Sequence, residues 1–318
     1  MFEKPSIRFL PDGKRLLLQQ GPIDLVIQAM GEPEAVQAAY RAAAERFDGL
    51  LAELCGELAL LRSRVTAGSP LPEGIVAHRM HAAVVPFAAE CFITPMAAVA
   101  GSVAEEILGA MTGAGPLQRA FANNGGDIAL HLADGELFRI GLVDLPEQPN
   151  LFGTATISAT DGIRGVATSG YPGRSFSRGI AEAVTVLAPT AAMADAAATV
   201  IANAVDLPDH PAILRVPAGT LQSDSDLGDI PVTRHVGRLT DGEIGEAIAS
   251  GLREAEKLRE RGLIVATAIH VKGTTRTLAH NHEHDAEENG PCLRSPSASL
   301  PSSSRRSSMR AALPLPRR

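Results

Sequence analysis

Apolar positions recur along the chain with two periods, and the change between them marks the elements. Between Lys14 and Gln28, the runs KRLLLQQ and IDLVIQ flank Gly21-Pro22, which predicts two short strands in a hairpin. From Glu32-Pro33-Glu34 onward the period becomes three and four. Val36, Tyr40, Ala43, Phe47, Leu51, Leu54, Leu58, Leu61 and Val65 mark one face, while Arg41, Glu45, Asp48, Glu53, Glu57, Arg62 and Arg64 fall off it. The expectation is a single long helix to about Arg64, covering a sheet. Met96–Met111 predicts a helix of small residues, in which Gly101 permits close approach of another backbone or a ligand.

The middle of the chain predicts strands. Asp134-Gly135 separates IALHLA from ELFRIGLV, and Asp161-Gly162 separates FGTATISA from IRGVATSG, so two hairpins in an antiparallel meander are expected. Ala183–Ala188 is a further strand, broken by Pro189. Thr190 then caps a helix to about Val205. Leu207–Gly237 is rich in Pro and Asp and is expected to be irregular. Thr240-Asp241-Gly242-Glu243 is a capping box opening a helix to about Arg261, and LIVATAIHV is a last, well-covered strand. From Gly273 the composition turns to Ser, Pro and Arg. Residues 1–272 are therefore expected to form one domain and 273–318 a disordered tail.

Composition narrows the function classes. The 318 residues are 45% hydrophobic, which suffices for a core, but only 3% aromatic with no Trp, which argues against aromatic platforms for single-stranded nucleic acid. The net charge of −7 gives no electrostatic case for nucleic acid or an anionic membrane. Three isolated cysteines support neither a zinc site nor a disulfide framework. The N-terminus lacks a signal-peptide pattern and there is no apolar run long enough for a membrane span, so a cytoplasmic location is expected. His78 and His81 have no further nearby ligands, and the alternating His280, His282 and His284 lie in the tail.

Candidate chemistry concentrates in residues 163–205. Asp195, Thr199 and Asn203 are spaced four apart and share one face of an alanine-rich helix. A carboxylate stacked on a hydroxyl is half of a hard-cation site; the alternative is a buried Asp that caps backbone amides. Upstream, Gly125-Gly126 before a strand forms a tight turn whose amides can face an anion, or a plain turn.

Taken in order, these motifs resemble the ApbE-like flavin transferases. Asn123-Asn124-Gly125-Gly126-Asp127 resembles their N-x-G-G-D/N strand entry, and Val166–Gly170 their T-S-G strand end. Val184–Pro189 with Ala194–Thr199 resembles their V-T-V-x-A-P strand and D-A-x-x-T helix. Ala100-Gly101 with Glu105 stands where that family has A-K-G-x-x-x-D. The H-x-x-D-P-x-T-G segment is missing from Tyr171–Ala183, and the GPIDLVI strand, the long helix and the TPMAAVAG segment resemble a leaderless branch of the superfamily.

The resemblance implies an α/β (α+β-like) fold of antiparallel sheets flanked by helices, a flavin nucleotide (FAD or FMN) and Mg²⁺. It implies metal ligation by Asp195, Thr199 and a main-chain carbonyl at Val99 or Ala100. It places Gly125, Gly126, Asp127, Thr168, Ser169 and Gly170 along the nucleotide, with an arginine such as Arg174 or Arg178 on the phosphates. The implied activity is Mg-dependent transfer or hydrolysis of a flavin or nucleotide phosphate, and the alternative is a flavin- or nucleotide-binding module without turnover. The expected partner is a small-molecule nucleotide or flavin, with no nucleic acid and no membrane; a homo-oligomer is compatible with it. Phe121, Phe138, Tyr171 and Phe176 are the candidate stacking partners for a flavin ring.

Overall fold

In the computed structural model the described residues are 3–143, 151–173 and 175–279, the side chains of residues 151 and 152 excepted. Arg174, the tail histidines and Cys292 therefore lie outside them.

Nine strands form one antiparallel sheet in the order β1-β2-β3-β4-β5-β8-β9-β12-β13. They are β1 (Ser6–Phe9), β2 (Leu16–Gln20), β3 (Ile23–Met30), β4 (Arg119–Asn124), β5 (Asp127–Leu132), β8 (Gly165–Ser169), β9 (Ala183–Ala188), β12 (Ala266–Val271) and β13 (Thr274–Leu278). Two further strand pairs, β6 (Leu137–Val143) with β7 (Leu151–Ser158) and β10 (Ile213–Pro217) with β11 (Pro231–Val236), stand outside it. The helices are α1 (Pro33–Phe47), α2 (Leu50–Gly56), α3 (Leu58–Leu61), α4 (Ile75–Val84), α5 (Val99–Gly113), α6 (Ala191–Ala204), α7 (Ala218–Leu221) and α8 (Asp241–Glu260).

Strand alternation sends successive side chains to opposite faces of the sheet. One face is covered by helices. Leu25 and Ile27 of β3 pack with α1 and α5, and Val184, Val186 and Ile269 pack with α6 and α8. On the other face Val166 and Leu187 meet Ala155 and Ile157 of β7, so the β6–β7 pair covers the middle of the sheet. The α/β architecture of antiparallel sheets flanked by helices is the expected one.

Several elements differ from the sequence expectation. The long helix is three: α1 stops at Phe47, and Gly49 adopts φ 85°, a left-handed conformation that a continuing helix does not allow. The apolar stripe continues across the break because all three pieces cover the same core. Asp134-Gly135 and Asp161-Gly162 do turn the chain, but neither makes a hairpin. β5 pairs with β4 and β8, and β6 pairs with β7, so both turns are corners where the chain leaves and re-enters the main sheet. Within Leu207–Gly237, β10 and β11 pair. Thr274–Leu278, inside the segment read as tail, is the edge strand β13 paired with β12. No helix among the described residues is long and apolar enough to cross a membrane.

Candidate functional site

α6 owes its start to local chemistry. Pro189 ends β9, and the Thr190 hydroxyl accepts from the Met193 amide as an N-cap. Glu105 of α5 accepts from the Ala192 amide at 2.8 Å, supplying a second acceptor to the unpaired first-turn donors. Arg79 lies 3.2 Å from the same carboxylate. Two glycines let neighbours press against this end of the helix. A Cβ on Gly101 would overlap the backbone of Ala191 and Ala192, and one on Gly165 the backbone of Thr190 and Ala191. The close approach expected at Gly101 is thus to a backbone.

This packing sets Asp195, one turn into α6, against α5. Its Oδ2 accepts from the Gly101 amide at 3.0 Å. Asp127 arrives from the first position of β5, and its Oδ1 accepts from the Thr168 amide on neighbouring β8 at 3.2 Å. Both residues are half-buried. Burial pushes the Asp127 carboxyl up to about 7 against the opposing pull of the Thr168 amide. Burial raises Asp195 well above the ordinary carboxylate value, the charge of Asp127 adds to the rise, and the Gly101 and Ala100 amides oppose it. Two carboxyls from a strand and a helix therefore face one another, each held by an amide, and each resisting ionisation.

The surrounding residues fall into place unevenly. Gly125 and Gly126 form a two-residue turn with φ 66° and 118°, closing the β4–β5 hairpin between the paired Asn124 and Asp127. The Gly126 amide is taken by Asn123 Oδ1 at 2.8 Å, so it is engaged within the turn rather than aimed at an anion. The pair's value to the site is to place Asp127. The Thr168 hydroxyl pairs with that of Thr185 at 2.9 Å, Ser169 is half-buried beside it, and Gly170 lies where a Cβ would overlap the Glu182 backbone. Thr199 follows Asp195 on the same helical face. Val99 and Ala100 lie in the first turn of α5, where carbonyls accept from the helix ladder; Ala100 also accepts from Asn124 Nδ2 at 3.3 Å. Asn203 does not join the pair: its Oδ1 accepts from the Arg178 amide at 2.8 Å two turns further along. Arg178 is correspondingly distant. Phe121 and Phe138 meet edge to face at 6.2 Å, joining the main sheet to β6.

Among the described residues no three His, Cys, Asp or Glu side chains cluster as a metal site. The oxygen donors at the pair still suit Mg²⁺, which is commonly held by one or two carboxylates and completed by phosphates and water. Sequence reasoning missed the roles of Asn124 and Glu105, which hold α5 to β4 and to α6. Position in the motif flagged both, but no spacing rule could pair them across the fold.

The family model described as AbpE bacteria matches residues 7–277. The chain is similar to the UPF0280 proteins of Methanosphaerula palustris, 42% identical over 127 residues (36% of this chain, 47% of that one), and of Methanothermobacter thermautotrophicus, 38% over 125 residues (37% and 44%). The chain spans about half the length of the curated relatives it matches. A solved structure, the apo form of the Pseudomonas stutzeri flavinyl transferase ApbE, aligns over 87% of this chain and 95% of that one, with 11% identity and a TM-score of 0.45. Because the family match runs across most of its length, the chain belongs to the AbpE bacteria family, a part of the ApbE-like superfamily that its motifs resemble.

Proposed function

We propose that the chain binds a flavin or another nucleotide-like phosphate ester together with Mg²⁺ at the Asp127–Asp195 pair, and transfers or hydrolyses the phosphate. The observation that carries this reading is the convergence of two half-buried carboxyls from β5 and α6, with no cation of the chain hydrogen-bonded to either among the described residues. A divalent cation offsets that repulsion, and when bound it neutralises charge on a pyrophosphate. Asp195 and Thr199 are the proposed metal ligands. Asp127 is the proposed proton acceptor, poised near neutrality as a general base requires. In the reaction an oxygen of water or of a protein hydroxyl bonds to phosphorus. The pyrophosphate P–O bond breaks, the nucleoside monophosphate leaves with the electron pair, and the proton of the attacking oxygen passes to Asp127. Gly125, Gly126, Thr168, Ser169 and Gly170 border the pair and are proposed to line the nucleotide.

A second reading, a binding module without turnover, is favoured by the missing H-x-x-D-P-x-T-G segment between β8 and β9. Incubation with FAD and Mg²⁺ separates the two. Release of FMN or AMP supports catalysis, a melting shift without product supports the module, and no shift with any flavin or nucleotide rejects both. Asp127→Asn is expected to keep the Mg²⁺-dependent shift and lose turnover.

A further inference from the structure

Helices α5 and α6 are tied by two hydrogen bonds of opposite sense. The α6 carboxylate of Asp195 accepts from the α5 amide of Gly101 at 3.0 Å, and the α5 carboxylate of Glu105 accepts from the α6 amide of Ala192 at 2.8 Å. Both amides lie in the first turn of a helix, where the helix offers them no acceptor of its own. Each helix thus supplies what the end of the other lacks. Ala192 is buried, so without Glu105 its amide would lack water as well.

The Glu105 half of this clamp is itself held. Its second oxygen lies 3.2 Å from Arg79 Nε on α4. Arg79 Nη1 donates to the Ser102 carbonyl at 3.1 Å and to Glu106 at 3.0 Å. Glu106 accepts in turn from Arg46 of α1 at 2.6 Å, and Arg46 donates to Glu53 of α2 at 3.0 Å. The side chains of Glu105 and Glu106 are only 20% and 13% exposed, so salt screens these pairs less than surface ones. α1, α4 and α5 together fix the point from which Glu105 meets α6. Asp195 is three residues beyond Ala192, so the place of its carboxylate follows from where that first turn sits.

We infer that Glu105, held by Arg79, is a positioning residue for the carboxylate pair: it fixes the first turn of α6 so that Asp195 stands opposite Asp127. Glu105 takes no metal itself, because its two oxygens are engaged by Ala192 and Arg79. The consequence for Mg²⁺ rests on the proposed role of Asp195 as a ligand; the clamp does not.

Amide hydrogen exchange, read by nuclear magnetic resonance without metal, tests the clamp. In Glu105→Ala the amides of Ala192 and Gly101 should both lose protection, each about tenfold or more. Loss at Ala192 is the direct effect, and loss at Gly101 reports that Asp195 has moved. Ala is the stronger helix former, so α5 itself is not weakened. Glu105→Gln presents one acceptor oxygen to two donors and should lose part of the protection; it carries the test if Glu105→Ala does not fold. Arg215→Ala, which loosens the far end of α6, should leave both amides as in the wild type. Mg²⁺-dependent melting reads the consequence, with binding about tenfold weaker in Glu105→Ala. Full Gly101 protection in the Glu105 variants, equal loss in Arg215→Ala, or unchanged Mg²⁺ affinity would overturn the positioning role. A wild type with no Mg²⁺ response would instead reject the metal reading, and the exchange rates would still decide the clamp.

Discussion

The two ends of α6 treat charge in opposite ways. At the C-terminal end, Asp206 and Glu254 each have a basic partner. At the N-terminal end, Asp127 and Asp195 face each other with only backbone amides to receive. A half-buried like-charged pair is costly, and such pairs cluster at functional sites. The same helix thus leaves carboxylates paired with basic side chains at one end and without them at the other.

The largest effect should come from breaking the packing that holds the N-terminal end. Gly101→Val drives a side chain into the Ala191–Ala192 backbone and should cost about 3 kcal/mol or more, or prevent folding. Gly109→Ala, in the same helix but facing open space, should be neutral or stabilising by about 0.5–1 kcal/mol. Chemical denaturation of both checks this. If Gly101→Val folds as well as Gly109→Ala, the close contact of α5 with α6 is wrong.

The next effect sharpens the electrostatic contrast. A carboxyl raised in the fold stays protonated where the unfolded chain has already ionised. Without divalent metal, stability should therefore be greatest below the ordinary value of 3.8 and fall as pH rises toward about 7 for Asp127. The fall, on the order of a few kcal/mol, continues to higher pH through Asp195. Asp127→Asn should flatten much of it in pH-dependent melting. A wild-type profile without that fall would contradict the pair's repulsion.

At the opposite end, Arg215→Ala leaves Asp206 half-buried without its partner and should cost about 1–3 kcal/mol. Lys257→Ala, which removes the exposed basic partner of an i,i+3 pair on α8, should change stability by less than about 0.5 kcal/mol. Equal losses from the two would show that the exposure of the basic partner does not distinguish these ion pairs.

How much was legible in the sequence follows from the range of the forces involved. α6 and α8 were readable because their caps are local: Thr190 receives Met193, and the Thr240–Glu243 box closes within four residues. The glycine at 49 was hidden by an unbroken apolar stripe, which reports the shared core and not helix continuity. Strand partners were out of reach, since a turn such as Asp134-Gly135 is chemically the same whether it makes a hairpin or a corner between sheets. Asp127 and Asp195 were each readable from motifs, but their meeting depends on β8 lying between β5 and β9. Edge strand β13 was lost because its sequence, TTRTL, is polar and none of its residues is fully buried.

The most direct test of a divalent-cation site at this pair is the melting temperature at pH 8 as Mg²⁺ is titrated, in the wild type and in Asp195→Asn. The expected result is a saturable rise in the wild type, about 2.7 kcal/mol of added stability at one hundred times the dissociation constant, and no rise in Asp195→Asn. An equal rise in both proteins, or none in the wild type with or without FAD, would contradict it.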